Sequence, residues 1–316
     1  MNGNLRWFGS HLKDSLDQVS RREWCLFLVL NALRWLVQPY GGITHDARLY
    51  AVQVMNRAKE GFFDQDLFFL YGSQDDYSLF SVLMAPLASK LGLSLSFFLV
   101  YVASTALLTF AEMRVVRALV PDRMAGNVAL VLLTVTSLPW GGWDVFHVHE
   151  SFLTPRLPAI ALTLLGLEQL LRKRFFSASA LMLAAMALHP LMAIGGLVLA
   201  VASACAARLS GRKLLALGAT TAVAATVLLL YEPLGTRLLG TIDPEWYDIV
   251  RRRCPYTFPS VWTAMDWWEI AYSLVVVVLG CAYLDRHRVT VMRLVILLAL
   301  AAVAGSVLAE AYPYAL

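Results

Sequence analysis

Residues 289–309 read VTVMRLVILLALAAVAGSVLA, a run whose only charge is Arg293. Coiled as a helix, a stretch of this length covers the ~30 Å hydrocarbon core of a bilayer. The same pattern recurs along the chain, with apolar runs near 24–40, 96–119, 124–140, 156–171, 175–188, 191–208, 214–233 and 269–284. Each is continuously apolar rather than alternating, which selects helices over the strands of a barrel. The composition agrees: 59% of the 316 residues are hydrophobic and 15% charged, and the mean hydropathy is +0.63. A soluble domain carries roughly a quarter charged residues, so a water-facing surface cannot be built from this sequence. The expected fold is all-α, a polytopic integral membrane helical bundle of about nine transmembrane helices with additional juxtamembrane helices.

The net charge of +4 is small and indicates no nucleic-acid partner. The basic residues fall in short clusters at Arg21-Arg22, Arg114/Arg117/Arg123, Arg172-Lys173-Arg174, Arg208/Arg212/Lys213 and Arg286/Arg288/Arg293. The positive-inside rule places all of them in the cytoplasm. That assignment requires 175–208 to cross twice as two short helices broken at His189-Pro190. It also requires 78–92, which carries Pro86 and Lys90, to lie in the interface. Residues 1–23 then form a cytoplasmic segment, with a surface helix over 5–20 showing Trp7, Phe8, Leu12 and Leu16 on one side. The first run is an uncleaved anchor, because no small-residue cleavage site follows Trp35. The transmembrane module covers 24–233, and its outer loop 41–95 holds juxtamembrane helices near 46–60 and 78–92. An outer loop follows at 234–268, and 269–316 carries the last spans. Cys25, Cys205 and Cys281 lie in or beside apolar runs and Cys254 has no loop partner, so neither a disulfide framework nor a cysteine zinc site is expected.

Five polar groups could carry chemistry. Asp46, in the run Thr44-His45-Asp46-Ala47-Arg48 after the first span, can serve as a general base or as an N-cap of the helix behind it. Asp64, Asp66, Asp75 and Asp76, among aromatic residues, can hold a divalent cation or form a solvated turn. The stretch 143–150, WDVFHVHE, packs two histidines and two carboxylates between spans, which makes His147 and His149 candidates for a divalent metal ion. Arg156 sits about one turn into the next span and needs a partner, for which Glu150 or a phosphate is suited. His189 marks a helix break, and Arg251, Arg252 and Arg253 form a cluster on the outer side suited to phosphate or to anionic headgroups.

The order of these features resembles the membrane module of the GT-C glycosyltransferases, such as the lipid A aminoarabinose transferases and protein O-mannosyltransferases. A first span is followed by an aspartate and an amphipathic helix. A short helix then ends in Lys90-Leu91-Gly92, and the next span ends in basic residues. An outer loop with an acid and a helix broken at a polar residue complete the order, over about 20–235. The resemblance implies a GT-C-like bundle in the bacterial inner membrane with its N-terminus in the cytoplasm. It further implies inverting sugar transfer from a polyprenyl-phosphate-type donor at the outer face, with membrane lipids and the lipid-linked donor as partners. Asp46 would act as base, Glu150 as the acid of the second outer loop, and His189 and Arg48 would lie near the donor phosphate. The sequence departs from the pattern at Ala47, where a second acid is usual, and at His189, where those transferases carry lysine. The rival expectation is a non-catalytic GT-C-like protein, or a transporter or assembly partner for a lipid-linked glycan. Glu112, Glu168 and Glu232 lie towards the ends of their runs, which weighs against ion-coupled transport.

Overall fold

The computed structural model describes residues 20–59, 61–70, 73–136, 139–140, 142–208, 243–284 and 286–311. Their order is α1 (Arg21–Val37), α2 (Ala47–Ala58), α3 (Phe80–Leu91), α4 (Leu93–Leu119), α5 (Arg123–Val135), α6 (Arg156–Leu171), α7 (Phe175–Leu188), α8 (Pro190–Arg208), α9 (Pro244–Arg253), α10 (Ala264–Gly280) and α11 (Arg286–Ala311). Among the described residues the one departure from helix and turn is a two-residue antiparallel ladder, β1 (Pro139–Trp140) with β2 (Phe146–His147). The fold is all-α.

Three helices are long and apolar enough to cross a membrane: Leu93–Leu119, Ala264–Tyr283 and Arg288–Leu308. The apolar windows of the last two are only 6% and 11% buried. In water they would expose a patch far larger than soluble proteins tolerate. The other runs give shorter helices, with 17 residues in α1, 13 in α5, 16 in α6 and 14 in α7. Helices of full spanning length thus number three among the described residues. Local stop signals account for the shortening. Asp122 caps α5 by accepting from the Ala125 amide at 2.7 Å, which sets its start. His189 is extended (φ −152°, ψ 97°) ahead of Pro190, which ends α7. The run at 214–233 and the surface helix over 5–20, apart from Ser20, lie outside the described residues.

Two compact units can be distinguished. The first comprises the described parts of 1–76, 80–137 and 149–161; the second comprises those of 77–79, 138–148 and 162–316. In the first, Leu30 of α1, Met113 and Val116 of α4 and Leu130 of α5 form a buried core, joined by Leu26 and Phe27. In the second, α7 and α8 pack side by side, and a Cβ on Gly196 of α8 would fall 2.8 Å from Cγ2 of Thr163 on α6. Small residues at such a crossing let helices approach closely, the usual packing device in lipid. The break at His189 leaves helix-end carbonyls to satisfy. The Leu79 amide donates to Ala187 at 2.8 Å and Ser78 Oγ donates to Leu188 at 2.6 Å.

Candidate functional site

The site forms in the first unit, where the segments following α1 and preceding α6 are tied together. Gln38 Nε2 donates to the His149 carbonyl at 2.6 Å, and the Gly41 amide donates to the Ser151 carbonyl at 2.6 Å. Between those anchors Tyr101 of α4 donates its hydroxyl to the Glu150 carbonyl at 3.1 Å. Three consecutive carbonyls, 149 to 151, are thus held from three directions. This irregular stretch is buried: Leu153 and Thr154 are 0% exposed. Non-helical backbone in such a place needs all its polar groups paired, and these bonds supply the partners.

Asp46, Glu150 and Arg156 meet here. Arg156 Nη2 lies 2.9 Å from Asp46 Oδ2 and 2.7 Å from Glu150 Oε1, and its Nε donates to the same Glu150 oxygen at 2.7 Å. Thr154 Oγ1 donates to the other Glu150 oxygen at 2.7 Å. Burial pushes the Glu150 carboxyl above its ordinary range, with Arg156 acting in the opposite direction. Tyr50 of α2 stands against this group; burial pushes its phenol up to about 12, so it stays neutral at any working pH.

The carboxylate of Asp46 does not cap α2: no side-chain capping bond forms there. Its Oδ1 instead meets His45 Nδ1 at 3.0 Å, and the side chain stays 34% exposed. His45 adopts a left-handed backbone (φ 49°), uncommon for a residue with a Cβ, and its ring stacks on Phe152 at 5.5 Å. The result is a half-exposed carboxylate flanked by an imidazole and a guanidinium. That arrangement can accept a proton from a nearby hydroxyl and keep a positive charge beside it.

A second chain of charges runs behind the first. Arg34 Nη2 donates to Glu112 Oε2 at 2.6 Å, and the opposite oxygen of Glu112 lies 2.6 Å from His149 Nε2. Arg34 is 3% exposed, Glu112 6% and His149 5%. Arg34 Nε and Nη1 and the Tyr40 hydroxyl are buried without a partner among the described residues. The run positions of Glu112 and Glu168 gave no sign of this burial; Glu168 is 0% exposed and pairs with Arg172. The sequence reading missed the chain. The available signals were two charges inside apolar runs, Arg34 in 24–40 and Glu112 in 96–119.

The remaining candidates fall elsewhere. Arg48 is exposed on α2 and makes no ion pair with the described residues. Three of the acids of 64–76 make structural bonds: Asp64 accepts from Asn56 at 2.8 Å, Asp66 accepts from the Phe68 amide at 2.8 Å, and Asp75 pairs with Arg57 at 2.9 Å. Gly61 (φ 84°) completes that turn, and a Cβ there would collide with Asp64. His147 lies on β2 in the second unit, whereas His149 is held by Glu112. Among the described residues no group of three or more His, Cys, Asp or Glu is placed to hold a metal ion, so the expected pair has no third ligand. His189 is half-buried in the second unit, as is Arg251, which lies with Arg252 and Arg253 at the end of α9 in the same unit. Arg252 Nε donates to the Asp248 carbonyl at 3.1 Å, while Arg252 and Arg253 are exposed.

Comparison with known families, with curated proteins and with solved structures gives no match to this chain.

Proposed function

We propose that the protein is an integral membrane glycosyltransferase of GT-C type. It would move a sugar from a polyprenyl-phosphate-type donor to a hydroxyl acceptor at the outer, periplasmic face of a bacterial inner membrane. One observation carries this reading: Asp46 and Glu150, more than a hundred residues apart, share Arg156 while Asp46 keeps an exposed edge. The acceptor oxygen attacks the anomeric carbon as its proton passes to Asp46. The bond from that carbon to the phosphate oxygen breaks, and the phosphate leaves with the electron pair. A guanidinium beside the leaving oxygen lowers the cost of that charge. Arg156 is suited to this role, because Glu150 holds it in place beside Asp46. About nine spans with a cytoplasmic N-terminus remain the proposed topology.

The test is release of sugar from a panel of polyprenyl-phosphate sugars by the purified protein reconstituted in liposomes. Donor-dependent release that rises with an added acceptor supports the reading. A folded protein that turns over no donor in the panel removes it. A second reading is favoured by the buried Arg34–Glu112–His149 chain. Ionisable groups inside a bundle mark ion pathways in transporters, so a carrier of lipid-linked glycan is the alternative. Glycan flipping that responds to a pH gradient, without sugar release, would select it.

A further inference from the structure

The second unit holds a cleft of about 500 Å³ lined by Tyr247, Arg251, Pro259, Ser260, Trp267, Val307 and Glu310. Its size lies within the roughly 300–1,000 Å³ typical of small-molecule sites. Its position within that unit is informative. Trp267 lies in the first turn of α10, and Val307 and Glu310 in the last turns of α11. Both helices are apolar enough to cross a membrane, so the cleft lies at the ends of two candidate spans, where headgroups reside. Helix α9 forms another wall. It exposes Trp246 and Ile249 and ends in Arg251-Arg252-Arg253, the mixture of apolar and basic residues of a helix lying in the interface.

The polar groups of the cleft carry both signs. Arg251 Nη2 donates to Ser260 Oγ at 3.2 Å, and its Nε has no partner among the described residues. Glu310 Oε2 accepts from the Ser260 amide at 2.7 Å, and its other oxygen pairs with the Ser260 hydroxyl. Ser260 thus holds a guanidinium and a carboxylate on either side of itself. Each carboxylate oxygen retains further acceptor capacity. The rings of Tyr247 and Trp267 stand beside them, and aromatic faces attract ammonium groups. An anion alone would meet the Glu310 carboxylate, and a cation alone would meet Arg251. A ligand with both charges a few atoms apart satisfies the site.

We propose that this cleft binds the headgroup of a zwitterionic phospholipid, with its phosphate on Arg251 and its ammonium between Glu310 and the aromatic rings. Val307 and the outer surface of α11 receive the acyl chains. The inference does not depend on the glycosyltransferase reading.

The test is native mass spectrometry of the full chain in detergent, titrated separately with a phosphoethanolamine lipid, a phosphoglycerol lipid and a polyprenyl phosphate. The wild type retains the phosphoethanolamine lipid about tenfold more tightly than the phosphoglycerol lipid, the change one charge-assisted hydrogen bond carries. Arg251→Gln weakens both by a similar factor. Glu310→Gln removes the preference, weakening the phosphoethanolamine lipid and holding the phosphoglycerol lipid at least as tightly as the wild type does. Equal retention of the two phospholipids by the wild type overturns the proposal without recourse to any variant. Tighter retention of polyprenyl phosphate than of either phospholipid also overturns it and makes the cleft a donor site. Unchanged binding in both variants, with melting temperatures equal to the wild type, is the third overturning result.

Discussion

Removing the Glu112 carboxylate isolates the most deeply buried charge in the first unit. Arg34 and His149 each approach that carboxylate to 2.6 Å, and both are about 5% exposed or less. Glu112→Leu leaves the Arg34 guanidinium with no anion, and Arg34 Nε and Nη1 are already without partners among the described residues. Breaking one side of a buried ion pair costs about 3–5 kcal/mol, which is a factor of roughly 10² to 10⁴ in the ratio of folded to unfolded protein. Arg34→Met leaves Glu112 paired only with His149 and should cost a similar amount. The double variant Arg34→Met/Glu112→Leu removes both charges together, and buried pairs replaced by apolar residues of similar volume are often near neutral. What remains is the loss of one partner for His149, about 1–3 kcal/mol. The double variant should therefore be more stable than either single one, with a coupling of several kcal/mol. Unfolding free energies from denaturant titration in bicelles measure this cycle. If the double variant loses the sum of the two single losses, the pair is not coupled and the chain does not exist as described.

Three further outcomes follow from the same contacts. Burial raises the Glu150 carboxyl above its ordinary value, so the folded state holds that proton more tightly than the unfolded one. The stabilisation this group provides is full below about 4.3, the ordinary glutamate value, and fades as pH rises through the raised native value. The stability difference between wild type and Glu150→Gln should therefore fall as pH rises from there; a difference that grows with pH contradicts the burial of this group. Asn56→Ala removes both the bond to Asp64 and the one from the Phe63 amide (2.6 Å), and should cost about 1–3 kcal/mol while loosening the 61–66 turn, read by proteolysis there. In a cysteine-free background, Gln65→Cys, His147→Cys and Arg252→Cys should all label from the outer side. Labelling of position 147 from the cytoplasm with position 65 outside breaks the proposed topology.

The sequence made the helical class legible because apolarity over twenty residues has no other economical explanation. Span lengths were less legible. A hydropathy run does not register that Asp122 caps a helix or that His189 is extended, and those residues decide where α5 begins and α7 ends. Asp46, Glu150 and Arg156 were each visible as polar residues beside spans, and the need of Arg156 for a carboxylate pointed to Glu150. That Asp46 would share the same guanidinium was not visible, since capping offered an equally good local explanation for it. The roles of Arg34 and Glu112 and the long-range bond of Asp266 were not visible for another reason. Arg34 meets Glu112 78 residues on, and Asp266, besides its local capping bonds to Thr263, accepts from the Trp143 amide 123 residues back at 2.6 Å. Pairings over such separations leave no periodic trace. The acids at 64–76 show the converse, a dense cluster whose members serve separate local hydrogen bonds.

The central claim, that Asp46 is the base of a transferase site, is tested most directly by single-turnover sugar release with Asp46→Asn against wild type, at matched protein stability. Asparagine keeps the size of the side chain and a hydrogen-bonding oxygen for Arg156 but cannot accept the proton. The account predicts a rate lower by about 10² to 10⁴, the usual contribution of a general base, with donor binding retained. Release at the wild-type rate by Asp46→Asn contradicts it.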